Sequence, residues 1–396
     1  METGLLVAYL ALCSMAVGPI YYGSFASIKW PKKKKSKKEP QPPESDSSDE
    51  EETIESLSTE DAYLFPVFGS IVLFSLYLIF KLLDKDYVNY LVNAYFSFLG
   101  IIALTSLGAH MVRNFSGIKA DAYKFTLTKK SKEIYRASFT VIHIGALILS
   151  FFLTAYYIVT KNWIASNLFG LAFAFNGIKM LSLDSFKTGM ILLGGLFFYD
   201  IFWVFGTEVM VTVAKSFDAP IKVVWPKKII GLESDEALQF TMLGLGDIVV
   251  PGIYVALCLR FDHNLYLKKN PTATKHSSFP TTYFNSCFAA YIIGLITTIV
   301  VMHTFKAAQP ALLYLSPACI ISVLITGVIR GELKDIFKYS SDDENTEEEE
   351  TKDKSVADAV TEEEYVEVES SATATGGAKN RKNKKNTKKK TGSDRA

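Results

Sequence analysis

Two aspartates lie inside long apolar stretches of this sequence, where they could perform acid–base chemistry. Asp200 falls in the stretch 188–209 and Asp247 in the stretch 238–259. An ionisable side chain in the middle of a membrane-length apolar run is costly and therefore indicates a functional site. Each aspartate is 12 residues from the same predicted edge of the membrane, or roughly 18 Å along a helix. Two neighbouring antiparallel helices would therefore hold carboxylates at one depth.

Two carboxylates held close together in a medium of low dielectric constant cannot both ionise, so they share one proton. This arrangement suits the hydrolysis of a peptide bond. The ionised carboxylate takes a proton from the attacking water, and the protonated one donates a proton toward the carbonyl oxygen. The alternative is that Asp200 and Asp247 are structural, each hydrogen-bonded to a neighbouring span. Their equal predicted depth favours the catalytic interpretation.

The residues around Asp247 also favour a site. Gly244 and Gly246 lack side chains, which permits another backbone to approach closely. Pro251 cannot donate a backbone hydrogen bond. We therefore expect it to interrupt the helix and to leave backbone groups free to pair with an extended substrate.

The four cysteines give no second site. Each falls within an apolar stretch, so neither a disulfide framework nor a metal-ligand spacing can be built from Cys13, Cys258, Cys287 and Cys319. We predict that they are small buried hydrophobic residues, and that the protein uses no metal and no cofactor.

The elements that must position the two aspartates are apolar stretches of about 20 residues, long enough to cross roughly 30 Å of hydrocarbon as helices. Of the 396 residues, 49% are hydrophobic, and the charges are concentrated in 32–61 and 331–396. This pattern excludes a soluble globular protein. We predict an all-α membrane protein with nine transmembrane helices, at 4–29, 62–83, 87–112, 137–160, 163–182, 188–209, 238–259, 281–305 and 309–330.

The distribution of lysine and arginine predicts the orientation. Basic residues are retained in cytoplasmic loops, and the segments 31–61, 113–136 and 260–280 all carry them. These segments lie on one side of a nine-span protein whose N-terminus is luminal and whose C-terminus is cytoplasmic. One segment disagrees, because 210–237 carries four lysines on the predicted luminal side.

The charged segments 31–61 and 331–396 cannot bury enough apolar surface to fold, and we predict that both are disordered and cytoplasmic. The net charge of +1 carries no information about nucleic acid, because the lysines and carboxylates occupy separate blocks, and we predict no nucleic-acid partner. The chain then divides into a first transmembrane helix (1–30), a charged linker (31–61), helices 2–5 (62–182), catalytic helices 6–9 (183–330) and a charged tail (331–396).

The first span has an alternative interpretation as a cleaved signal peptide, because Ser24-Phe25-Ala26 is a small-residue cleavage site. However, the residues before it hold Glu2 and no lysine or arginine. Cleavage would also leave eight spans and place the first basic loops in the lumen. We therefore favour an uncleaved first helix.

Three short motifs resemble those of the presenilin-type intramembrane aspartyl proteases. They are Tyr199-Asp200, Gly244-Leu245-Gly246-Asp247 and Gln309-Pro310-Ala311-Leu312. The stretches 199–220 and 243–262 resemble the signal peptide peptidase family within that group. Each motif alone is weak, but all three occur in order at the expected spans.

The resemblance implies a presenilin-like fold and a multi-pass enzyme of the endoplasmic reticulum membrane, with Asp200 and Asp247 as its catalytic pair. It implies substrates that are remnant signal peptides and other membrane segments in the type II orientation, cleaved within the lipid bilayer. It also implies that further residues support the active site or bind substrate, namely Tyr199, Gly244, Gly246, Gln309, Pro310, Ala311 and Leu312.

Two other classes of function compete with proteolysis. A proton-coupled transporter could relay protons through Asp200 and Asp247, but the two halves of the chain show no corresponding pair of broken spans. A non-catalytic scaffold could recruit degradation partners through the charged segments, but it would not need two matched aspartates. The sequence leaves open whether the protein forms a homo-oligomer and whether it binds degradation factors of the endoplasmic reticulum.

Overall fold

The structure is a computed structural model that describes residues 3–28, 55–116, 122–129, 132–217, 219–227, 239–270, 277–305 and 309–340. Most of the predicted linker and the tail from 341 onward lie outside these residues. The described helices are α1 Thr3–Ala26, α2 Thr59–Leu82, α3 Lys85–Ser116, α4 Val141–Thr160, α5 Trp163–Met180, α6 Phe186–Phe205, α7 Val209–Ser216, α8 Gly246–Lys269, α9 Thr282–Phe305, α10 Leu312–Arg330 and α11 Leu333–Lys338.

Six short strands pair into three two-stranded sheets among the described residues. The first sheet is parallel, and the other two are antiparallel. The pairs are β1 Glu55–Leu57 with β4 Leu181–Leu183, β2 Ala122–Lys129 with β3 Lys132–Thr140, and β5 Lys222–Pro226 with β6 Phe240–Gly244.

Eight helices of the described chain are long and apolar enough to cross a membrane: α1, α2, α3, α4, α6, α8, α9 and α10. This confirms the prediction of a multi-pass, all-α membrane protein. Helix α5, with 18 residues, covers the fifth predicted span, 163–182, but it is not among these eight helices, and it carries Asn167, Asn176 and Lys179. The count of nine spans therefore stays a prediction.

Helix α8 forms the centre of the main core, and 83% of an apolar 18-residue stretch of this helix is buried. It contacts α1, α5, α6, α9 and α10. Helix α6 approaches it closely at Gly189, where an added methyl group would lie 2.6 Å from the ring of Tyr254. This close approach brings together the two helices that carry Asp200 and Asp247.

Helix α1 belongs to the same core. Its residues Ala16 and Ile20 are fully buried, and the helix packs against α5 and α8. Ser24, in the cleavage sequence considered above, is also fully buried. Removal of α1 would expose this core, which favours the uncleaved first helix.

The predicted span 238–259 is placed wrongly. Residues Phe240–Gly244 form strand β6, and α8 begins only at Gly246 and continues to Lys269. A short apolar run has the same hydropathy as a strand or as part of a helix. The two glycines at 244 and 246 disfavour helix at this point, and pairing with β5 decides the outcome.

The structure also changes the edges of the two charged segments. Residues 55–57 form β1, and Ser58 starts α2 with a capping box, so this helix begins at Thr59 and not at 62. Beyond 330, the short helix α11 buries Ile336 completely. The predicted disorder therefore does not hold for 55–61 and 331–340, because apolar residues there reach the core.

Candidate active site

Asp200 lies in the last third of α6, and its side chain is only 4% exposed. Its carboxylate oxygen Oδ2 accepts a hydrogen bond of 3.3 Å from the backbone N–H of Leu312. Leu312 is the first residue of α10, where backbone N–H groups have no partner within the helix. The positive end of the α10 dipole therefore faces Asp200 and favours a negative charge there.

Asp247 is the second residue of α8 and is half-buried. The backbone N–H of Gly244 donates to its carboxylate. Gly244 also lies against that carboxylate, since an added methyl group would be 3.2 Å from Oδ2. Asp247 thus sits at the N-terminus of its own helix, and not in mid-span as the sequence predicted.

The two carboxylates lie close enough for their charges to interact. Each one meets a helix N-terminus and a backbone N–H donor, which stabilise one shared negative charge in a site of low dielectric constant. The pair can therefore hold one proton and one negative charge, as general acid–base hydrolysis requires. Among the described residues, no group of three or more His, Cys, Asp or Glu side chains is arranged to bind a metal ion.

Tyr199 belongs to α6, and its half-buried side chain lies against α2. Its ring contacts Gly69 of α2, where an added methyl group would be 3.5 Å away, and its centroid lies 6.4 Å from that of Trp203. The Nε1–H of Trp203 donates to the hydroxyl of Ser70, also in α2, at 3.0 Å. Tyr199 therefore lies beside Asp200 and helps to hold α6 against α2.

Gly246 has a different environment from Gly244. A methyl group built there would meet no atom within 4 Å, and the residue is exposed. The structure therefore shows a steric reason for glycine at 244 and none at 246.

The motif Gln309-Pro310-Ala311-Leu312 is placed directly before and at the start of α10. Pro310, Ala311 and Leu312 are buried, and Gln309 is half-buried. The helix begins at Leu312 with Ala311 as its N-cap residue, so Pro310 precedes the helix, which was predicted to start at 309. The contact with the aspartate pair is made by the backbone of Leu312.

Two residues near the site were missed by sequence reasoning, which looked for ionisable side chains inside the spans, for residues beside them and for the three motifs. Asn167 of α5 contacts β5, the partner of the strand that leads to Asp247. Its polarity within an apolar helix was a visible signal. Tyr291 of α9 contacts the backbone of Asp247, and a tyrosine in a span gives no comparable signal.

Comparison with known proteins identifies the family of this chain. The family model described as signal peptide peptidase matches residues 48–343. The chain is 44% identical to mouse signal peptide peptidase and 43% identical to the human protein, in each case over 85% of this chain and 84% of the relative. A probable intramembrane protease of Schizosaccharomyces pombe is 42% identical over 74% of this chain and 87% of its own length.

These matches and the helical fold define the class of protein, a multi-pass intramembrane aspartic protease. Within that class, the chain belongs to the signal peptide peptidase family. Its relatives and its apolar helices also support a multi-pass protein of the endoplasmic reticulum membrane.

Proposed function

We propose that Asp200 and Asp247 are the catalytic residues with which this protease cleaves remnant signal peptides and type II membrane segments. One observation carries the proposal: the two carboxylates lie within range of charge interaction where the end of α6 meets the starts of α8 and α10. The names of the mammalian relatives support signal peptides as substrates. Family membership favours proteolysis over a transporter or a scaffold.

The reaction follows from one proton shared by two carboxylates. The ionised carboxylate removes a proton from water as the water oxygen attacks the scissile carbonyl carbon. The protonated carboxylate donates its proton to the carbonyl oxygen, which gives a neutral gem-diol. The C–N bond then breaks, and the leaving nitrogen takes the proton held by the carboxylate pair. One hydroxyl of the gem-diol gives its proton back to the pair as the carbonyl group forms again.

Strand β6 supports a way of presenting the substrate. It ends at Gly244, three residues before Asp247, and among the described residues only one of its edges pairs with a strand, namely β5. An extended peptide can add to a free strand edge through backbone hydrogen bonds. Pro251 was expected to interrupt its helix and free backbone groups for the substrate, but it lies inside the continuous helix α8. The free edge of β6 would supply those backbone groups instead.

We further propose that Tyr199, Gly244 and the segment 309–312 support the pair, and that the N-terminus is luminal and the C-terminus cytoplasmic. The end of α6 and the starts of α8 and α10 meet at the site, so these three helix ends lie at one level. The basic loops support a luminal N-terminus, and a site in the luminal half of the membrane is part of this proposal.

The test is cleavage of a labelled signal peptide by purified protein in detergent. Asp200→Ala, Asp247→Ala and Asp247→Asn should each abolish turnover, because one carboxylate cannot serve as both acid and base. Asp86→Asn, at an exposed position in the first turn of α3, is the control and should retain turnover. Substantial turnover by either alanine variant of the pair would refute the assignment.

A further inference from the structure

Pro251 leaves the backbone carbonyl of Asp247 without its usual partner. In an α-helix the carbonyl of each residue accepts a hydrogen bond from the N–H four positions later. Position 251 of α8 is proline, which has no N–H to donate to Asp247. A buried carbonyl without a donor is costly, so another group must supply one.

Tyr291 of the neighbouring helix α9 supplies that donor. Its hydroxyl donates a hydrogen bond of 3.3 Å to the backbone oxygen of Asp247. Tyr291 is fully buried and belongs to the main core, so its ring is held by packing on all sides. The hydroxyl therefore fixes the first turn of α8 from outside that helix.

We propose that Tyr291 is a positioning residue for the catalytic pair. By holding the backbone of Asp247, it sets the direction in which the carboxylate of Asp247 faces Asp200. The inference rests on the proposed catalytic role of Asp247 and extends it to α9, which carries none of the three motifs.

The proposal predicts a specific pattern of kinetic effects. Loss of the Tyr291 hydroxyl would leave the first turn of α8 free to shift, and a small displacement of a catalytic group lowers the rate of the chemical step. The binding of substrate along β6 would be less affected. We therefore expect kcat to fall about tenfold in Tyr291→Phe, with a much smaller change in KM.

Pro251→Ala gives a sharp test, because alanine restores the N–H that can donate to Asp247 within α8. In this background the hydroxyl of Tyr291 is redundant. Four proteins form the cycle: the parent, Tyr291→Phe, Pro251→Ala and the double variant. Tyr291→Phe should lower kcat about tenfold in the parent and less than about twofold when Pro251 is already alanine.

Tyr283→Phe is a matched control, since Tyr283 is a buried tyrosine at the start of α9 and its hydroxyl donates to Glu332 at 2.9 Å. It should lower the melting temperature without changing kcat. A second measurement uses a peptide whose scissile bond is replaced by a hydroxyl-bearing isostere. Its affinity is measured in the same four proteins, so that the effect of each substitution can be compared even where turnover is too low to measure.

Equal losses in both backgrounds, or normal kcat in Tyr291→Phe, would overturn the role of Tyr291. The Asp247→Ala variant is assayed beside the cycle. If that variant is inactive while Tyr291→Phe is normal, only the positioning role fails. If Asp247→Ala is active, the proposed catalytic pair fails as well.

Discussion

The side-chain amide of Asn167 forms two hydrogen bonds with the backbone of Val224. Its Nδ2 donates to the Val224 oxygen at 2.7 Å, and its Oδ1 accepts from the Val224 N–H at 2.8 Å. The amide of α5 thereby pairs with β5 as a neighbouring strand would. It closes the outer edge of β5 and joins α5 to the sheet that leads to Asp247.

Asn167→Leu should therefore destabilise the protein and lower turnover. Leucine leaves the N–H and the carbonyl of the half-buried Val224 without these partners, which costs about 1–3 kcal/mol of unfolding free energy. Thermal unfolding and cleavage of a labelled signal peptide are measured on the same purified protein. Turnover is compared at a temperature where both proteins are folded.

Asn176→Leu is the control for this prediction. Asn176 lies in the same helix, but its Nδ2 donates to the carbonyls of Ala103 and Ala172, away from the sheet. It should lower stability and leave the turnover of the folded protein unchanged. An equal loss of turnover in both variants would show that α5 acts on the site only through general stability.

Gly244→Ala should impair catalysis more than Gly246→Ala. The new methyl group at 244 would lie 3.2 Å from the Asp247 carboxylate, which must then move, whereas the methyl group at 246 enters open space. We expect turnover to fall about tenfold or more for 244 and only a few-fold for 246. Parallel assays of both variants at matched folding check this order, and a reversed order would contradict the structure.

Leu312→Ala should weaken the active site through the backbone. The Leu312 side chain is buried, and its removal leaves a cavity where the N–H meets Asp200. Cleavage and affinity for the isostere peptide should fall together, because the loss affects binding of the transition state. Leu315→Ala, fully buried one turn later, should cost a similar 2–4 kcal/mol or so of stability but retain the affinity.

The orientation of the chain is tested by glycosylation. An acceptor sequon with a spacer, inserted at Ala307, should be modified because that turn is predicted to be luminal. The same insertion at Thr373 in the tail should remain unmodified. A shift in mobility that is removed by a glycosidase provides the measurement, and modification at Thr373 would invert the proposed topology and the expected orientation of substrates.

Sequence patterns alone predicted a membrane protein and singled out two carboxylates as candidate catalytic groups. Hydropathy reports how a segment partitions between water and lipid, so the membrane-length helices follow from composition alone. Asp200 and Asp247 stand out because charge inside such segments is costly. The order of the three motifs then indicated the family, which the comparisons confirmed.

How these residues meet follows from the packing of the helices. The contacts of Asn167 with Val224, Tyr291 with Asp247 and Leu312 with Asp200 join residues 57, 44 and 112 positions apart. No local pattern encodes such partners, because each depends on the packing of separate helices. The start of α8 shows the same limit. The hydropathy of the run 240–244 fits a strand or part of a helix, and pairing with β5 formed the strand.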